Sequence, residues 1–151
     1  MATKIDREFN RIRRKVVEPK TGIESTYGTD LDRIGKQLLG SKFQGAFPSD
    51  MIPNLTDLKP YAILNLDNSK QSGSHWIAIA KRPKKNELLV YDSFGRGYNK
   101  IIPSLNKATA MRIYNTDPDA EQKITESNCG AMCLGWLIMF DTYGWAKAMK
   151  I

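Results

Sequence analysis

The chain carries two cysteines and one histidine among its 151 residues, so thiol and imidazole chemistry is confined to three positions. Both cysteines lie in ESNCGAMC, residues 126–133. Cys129 stands where a polar, turn-prone stretch meets the apolar run LGWLIMF, at the expected start of a helix. Exposed N–H groups and the positive end of the helix dipole favour a thiolate there. Ser127 or Asn128 is placed to cap the helix, and Gly130 leaves room for a substrate backbone to approach. These residues alone read equally as an activated nucleophile or as a core thiol. Cys133, inside the apolar run, reads as a core residue.

His75 opens the strand-like segment SGSHWIAIA, where an imidazole can face a cleft while the strand behind it is buried. An exposed loop histidine is the plainer alternative. Asp92, in LLVYDSFG, ends the next strand and serves either the imidazole or the turn before Gly95. Contact between the two requires staggered strands or an intervening third strand. Cys129, His75 and Asp92 are the parts of a thiol protease. The imidazole takes the thiol proton, and the carboxylate fixes the tautomer and steadies the imidazolium. The oxyanion that follows needs fixed donors. The Cys129 N–H and the side chain of Gln122, in the preceding loop, are the candidates, although Gln122 by itself reads as a solvated amide. Two cysteines and one histidine, with no second pair, do not make a zinc ligand set. The His-x-Glu and Cys-x-x-Cys pattern of zinc deaminases is absent. No metal and no cofactor are expected.

The positioning elements follow from periodicity. IDREFNRIRRKVV, residues 5–17, sets Ile5, Phe9, Ile12 and Val16 on one stripe of a basic helix. The first 20 residues hold seven Lys/Arg against three Asp/Glu. Residues 1–28 therefore read as a basic amphipathic arm and linker, and residues 29–151 as the domain that carries the chemistry. A second helix is expected from about Asp30, with Leu31, Ile34, Leu38 and Leu39 inward and Gly40 at its end. SKFQGAFPSDMIPNL then reads as loop, broken by Gly45, Pro48 and Pro53. YAILNLD, HWIAIAKR and ELLVYDSF read as strands, the last two joined through PKKN as an antiparallel hairpin. AMRIYN is a further strand, after a short helical turn near Pro103, and residues 129–142 form a buried helix. The expected fold is α+β: a central, mainly antiparallel sheet packed on a helix whose first residue is the nucleophile.

Length allows one domain with one sizeable core. No apolar run approaches a membrane span. MATKIDREF lacks a signal-peptide core, so an intracellular, reducing setting is expected. The net charge of +7 either attracts polyanions such as nucleic acid or serves solubility.

Three motifs in order resemble one family. GSHWIAIAKRP is similar to the Gly-x-His-Trp strand of adenain, the adenovirus maturation protease, and its relatives in virophages and polinton-like elements. LLVYDSFG resembles that family's apolar–aromatic–acid segment ending in Phe-Gly. ESNCGAMC resembles its Cys-Gly nucleophile at the head of the central helix. The spacings from His75 to Asp92 and from Gln122 to Cys129, 17 and 7 residues, also fit that family. SUMO-specific proteases of the same clan set the glutamine closer to the cysteine. LDRIGKQLLGSKFQGAFPSDMIP resembles the family's opening helix and loop, so the likeness spans roughly residues 30–142.

The resemblance implies an adenain/SUMO-protease-like fold. It further implies a cysteine endopeptidase that cleaves viral capsid or core precursors during virion maturation, in the virion and the infected cell, with a preference for small residues beside the cut. Cys129 would be the nucleophile, His75 the base, Asp92 its orienter and Gln122 an oxyanion donor. Asp92 stands where adenoviral enzymes usually carry Glu. The family's DNA activation accords with the basic charge. Its disulfide-linked activating peptide has no matching cysteine here, and the basic arm has no counterpart. The alternatives are an isopeptidase for a ubiquitin-like modifier and a non-catalytic, basic nucleic-acid-binding virion protein.

Overall fold

The computed structural model describes residues 3–21, 28–52, 59–65, 75–94, 111–116 and 129–151. The chain opens with α1 (Lys4–Ile12), started by a capping box. Thr3 Oγ1 accepts the Asp6 N–H at 3.0 Å, and the Asp6 carboxylate accepts the Thr3 N–H at 3.0 Å. The helix widens into a π segment (Arg13–Val17) and closes as α2 (Glu18–Thr21). Pro19 supplies no N–H to the carbonyl four residues back, and the wider turn just before it accommodates that gap. The extra residue per turn rotates the stripe. Phe9, Ile12 and Val17 are buried, whereas Ile5 and Val16 are only partly so.

Helix α3 (Gly28–Leu39) buries Leu31, Ile34 and Leu39 and ends at Gly40, whose φ of 64° is costly for any residue with a Cβ. Five strands follow: β1 (Phe43–Phe47), β2 (Tyr61–Asn65), β3 (Trp76–Arg82), β4 (Glu87–Tyr91) and β5 (Arg112–Asn115). They lie in sequence order in one sheet. β3 pairs antiparallel with β2 and β4, as the alternation and the PKKN turn predict. Asn86, at φ 52°, completes that turn.

Two expectations are corrected. FQGAF is strand β1 rather than loop, despite Gly45 and the nearby Pro48. The sheet is mixed rather than mainly antiparallel, because β1 runs parallel to β2 and β5 parallel to β4. Long connections permit this, since parallel neighbours need a crossover of about a dozen residues or more. β1 ends at Phe47 and β2 begins at Tyr61, and β4 ends at Tyr91 and β5 begins at Arg112. The expected turn near Pro103 lies outside the described residues.

Strand alternation gives the sheet two buried faces. Ala62, Leu64, Ile77, Ile79, Leu88 and Val90 form one apolar layer. On the other face Ile63, Ala78, Ala80, Leu89 and Tyr91 meet the helices. Between them runs α4 (Cys129–Tyr143), whose first nine residues are all buried. It lacks a polar face because sheet, α3 and the α1–α2 arm cover it on different sides. Trp136 stacks on Tyr91 (centroids 5.3 Å, interplanar angle 7°), and Phe9 meets Tyr91 edge-on at 6.1 Å. The arm is therefore seated in the same core as α4. Beyond Gly144, α5 (Trp145–Ala148) folds back so that Trp136 Nε1–H donates to the Ala148 carbonyl at 3.0 Å. No described helix is long and apolar enough to cross a membrane.

Candidate active site

His75 immediately precedes β3 and Asp92 immediately follows β4, so antiparallel pairing brings both to one end of the sheet. The last β3–β4 pair is Ala78 with Tyr91, while β3 continues to Trp76 against β2. This overhang places His75 diagonally across from Asp92, within side-chain reach. His75 Nε2 and Asp92 Oδ1 are 2.5 Å apart. The stagger suffices, and no third strand intervenes. Both side chains are buried, at 5% and 1% exposure, which leaves little water to compete for the contact. Asp92 Oδ1 also accepts the Phe94 N–H at 3.1 Å.

Cys129 is the first residue of α4, and its thiol lies near enough to His75 to act on the imidazole electrostatically. With Nε2 committed to the carboxylate, Nδ1 is the ring nitrogen left for sulfur. A carboxylate that accepts the Nε2 proton leaves Nδ1 with its lone pair, the state able to take a thiol proton. The geometry thus brings together Cys129, His75 and Asp92 in that order.

Packing sets the position of the thiol. The Tyr91–Trp136 stack joins α4 to the residue just before Asp92. At the head of α4, Gly130 is buried, and a Cβ there would lie 2.9 Å from Leu31 Cδ2. The expectation that Gly130 leaves space for substrate is therefore corrected. Its missing side chain admits Leu31 and lets α3 approach the cysteine.

The electrostatics bear on His75 and on Cys133. Burial opposes the charged form of His75, but hydrogen bonds to Asp92 and Cys129 outweigh it and raise the imidazole above its ordinary value. Cys133 is fully buried, and that burial pushes its thiol well up, with Cys129 and Asp92 adding to the effect. Cys133 is accordingly an inert, protonated core thiol.

Gln122 lies outside the described residues. Trp76, half-buried, sets its ring 3.1 Å from the Cβ position of Gly28 and so packs on the start of α3. Residue-type reasoning missed Phe94 as a neighbour of the imidazole. Its ring lies over His75 with centroids 4.5 Å apart and planes 14° from parallel. The only sequence signal was its place two residues after Asp92, at the end of a strand antiparallel to that of His75.

No family model matches the chain. It is 30% identical over 133 residues to the protease of frog adenovirus 1, which covers 78% of this chain and 65% of that protein. It is 27% identical over 95 residues to the protease of ovine adenovirus D serotype 7, which covers 54% of this chain and 47% of that one. The chain thus spans from about half to just under two thirds of the length of these relatives. The similarities relate it to adenovirus proteases, and its α+β architecture with a mixed sheet is compatible with a protease fold.

Proposed function

We propose that the chain is a viral cysteine endopeptidase with an adenain-like fold that cleaves capsid or core precursor proteins during virion maturation. The observation that carries this reading is one imidazole held by a buried carboxylate at 2.5 Å, with the thiol at a helix start among the groups that act on it. The similarity to two adenovirus proteases supports a viral protease acting on viral proteins.

In this reading His75 takes the Cys129 proton, and the thiolate attacks the scissile carbonyl. Asp92 holds the imidazole and stabilises the imidazolium that results. The oxyanion is met by the Cys129 N–H and by Gln122. His75 then returns its proton to the leaving amine, and water hydrolyses the acyl-enzyme. The exposed cations of the arm, among them Arg7, Arg11, Arg14 and Lys15, draw the enzyme to DNA or another polyanion in the virion or the infected cell. In this reading Cys129 is the nucleophile and Cys133 a buried core thiol, so neither is the link to an activating peptide.

A glycine-containing peptide carrying a thiol-directed suicide group tests the reading. Covalent labelling at Cys129, lost in His75→Ala, is the expected result. Labelling at Cys133, or none while a ubiquitin-like modifier conjugate is cleaved, would overturn it in favour of another target or an isopeptidase.

A further inference from the structure

We propose that Phe94 is a positioning residue that fixes the His75 imidazole by its face while holding the Asp92 carboxylate through its own backbone. The proposal rests on the reading of His75 as the base for Cys129.

A single hydrogen bond from Nε2 to Asp92 fixes one edge of the imidazole but lets the ring pivot about that bond. A second ring lying parallel over its face removes the pivot, and Phe94 lies that way, 4.5 Å away and 14° from parallel. The Phe94 N–H donates to Asp92 Oδ1, the same oxygen that faces His75 Nε2. One residue thereby holds both partners of the contact. The β3–β4 register, continued past Ala78 and Tyr91, brings position 94 opposite position 75, so the fold itself delivers the stack.

Phe94 is half-buried and, among the described residues, stands outside both apolar clusters of the sheet. Its described aromatic partner is the imidazole. An aromatic face also favours a cation above it, so the same contact steadies the imidazolium that forms when Cys129 is deprotonated. Among the described residues, the titratable groups acting on His75 are Asp92 and Cys129, and Phe94 adds a neutral face to that charged set.

His75 is the only histidine, which makes its NMR signals unambiguous. In the wild-type protein its ring protons are expected upfield of their unfolded positions, through the ring current of Phe94. Unshifted signals would overturn the proposal without any variant having to fold. In Phe94→Leu the His75 titration midpoint is expected to fall by about half a unit. Iodoacetamide should then alkylate Cys129 roughly threefold more slowly near neutral pH. Phe94→Tyr, which keeps the ring, should restore both. Wild-type behaviour in Phe94→Leu, with alkylation slowed by His75→Ala, would reject Phe94 alone. Alkylation of Cys129 unaffected by His75→Ala would instead reject the base assignment beneath it.

Discussion

Asp92 Oδ1 stands 2.5 Å from His75 Nε2, although the strand register would set Asp92 opposite Ile77 rather than His75. The two-residue overhang of β3 beyond its pairing with β4 makes this diagonal contact. The carboxylate is also a principal reason that the imidazole is more basic than usual.

Asp92→Asn tests that dependence. The amide keeps the shape but loses the charge, so kcat should fall by up to about 10⁴, the loss seen when a triad carboxylate becomes an amide. The His75 midpoint, read by NMR, should move down. Stability should respond to pH as well. A histidine held more basic when folded stabilises the native state fully below its unfolded value, about 6.5, and loses that contribution as pH rises through the folded value. The difference in melting temperature between wild type and Asp92→Asn should therefore be widest on the acid side of that interval and narrow above it.

The two cysteines should part company under mutation. Cys129→Ala should abolish peptide cleavage and leave the melting temperature near wild type. Cys133→Ala opens a small void in a fully buried site and should cost about 1 kcal/mol with turnover retained. Paired thermal melts and peptide assays check both. Equal loss of turnover in two folded variants would contradict the assignment.

Gln122→Ala should lower kcat by roughly 10²–10³ with little change in KM, as removal of a donor to developing charge does. Alkylation of Cys129 by a small thiol reagent should persist. A large rise in KM at unchanged kcat would remove Gln122 from the catalytic set.

The arm needs substitution rather than deletion. Phe9, Ile12 and Val17 are core side chains, and Phe9→Ala alone should cost about 3–5 kcal/mol. Charge changes on the solvent face avoid that loss. Arg14→Gln together with Lys15→Gln should weaken duplex DNA binding and reduce the salt slope by about two, since each lost phosphate contact removes nearly one. A fluorescence titration across salt concentrations measures this, and unchanged affinity and slope would remove the polyanion role.

Much of the fold was legible because its signals are local. The helix stripe around Phe9, the PKKN turn, the alternation in HWIAIAKR and ELLVY and the continuous apolar run after Cys129 each name an element. FQGAF was not legible as strand, because its place depends on pairing with distant β2 and because Gly45 imitates a loop. Phe43 makes that strand valuable, filling the space left by Gly35 of α3. The parallel outer pairs were implied by connection length, a weaker signal than alternation. At the site, residue types named Cys129, His75 and Asp92, but the stagger that joins two of them belongs to strand register. Gly130 misled for the same reason, since Leu31, which fills its space, lies on a helix nearly a hundred residues earlier in the chain.

If Cys129 is the nucleophile of a peptide-bond hydrolase, the wild-type chain makes new termini in its substrates that a Cys129 variant does not. Capsid and core precursors of the virus are incubated with wild type or with Cys129→Ala, and the products are sequenced by mass spectrometry. Discrete new termini beside small residues are expected with wild type and none with Cys129→Ala. The same termini produced by Cys129→Ala would contradict that role for Cys129.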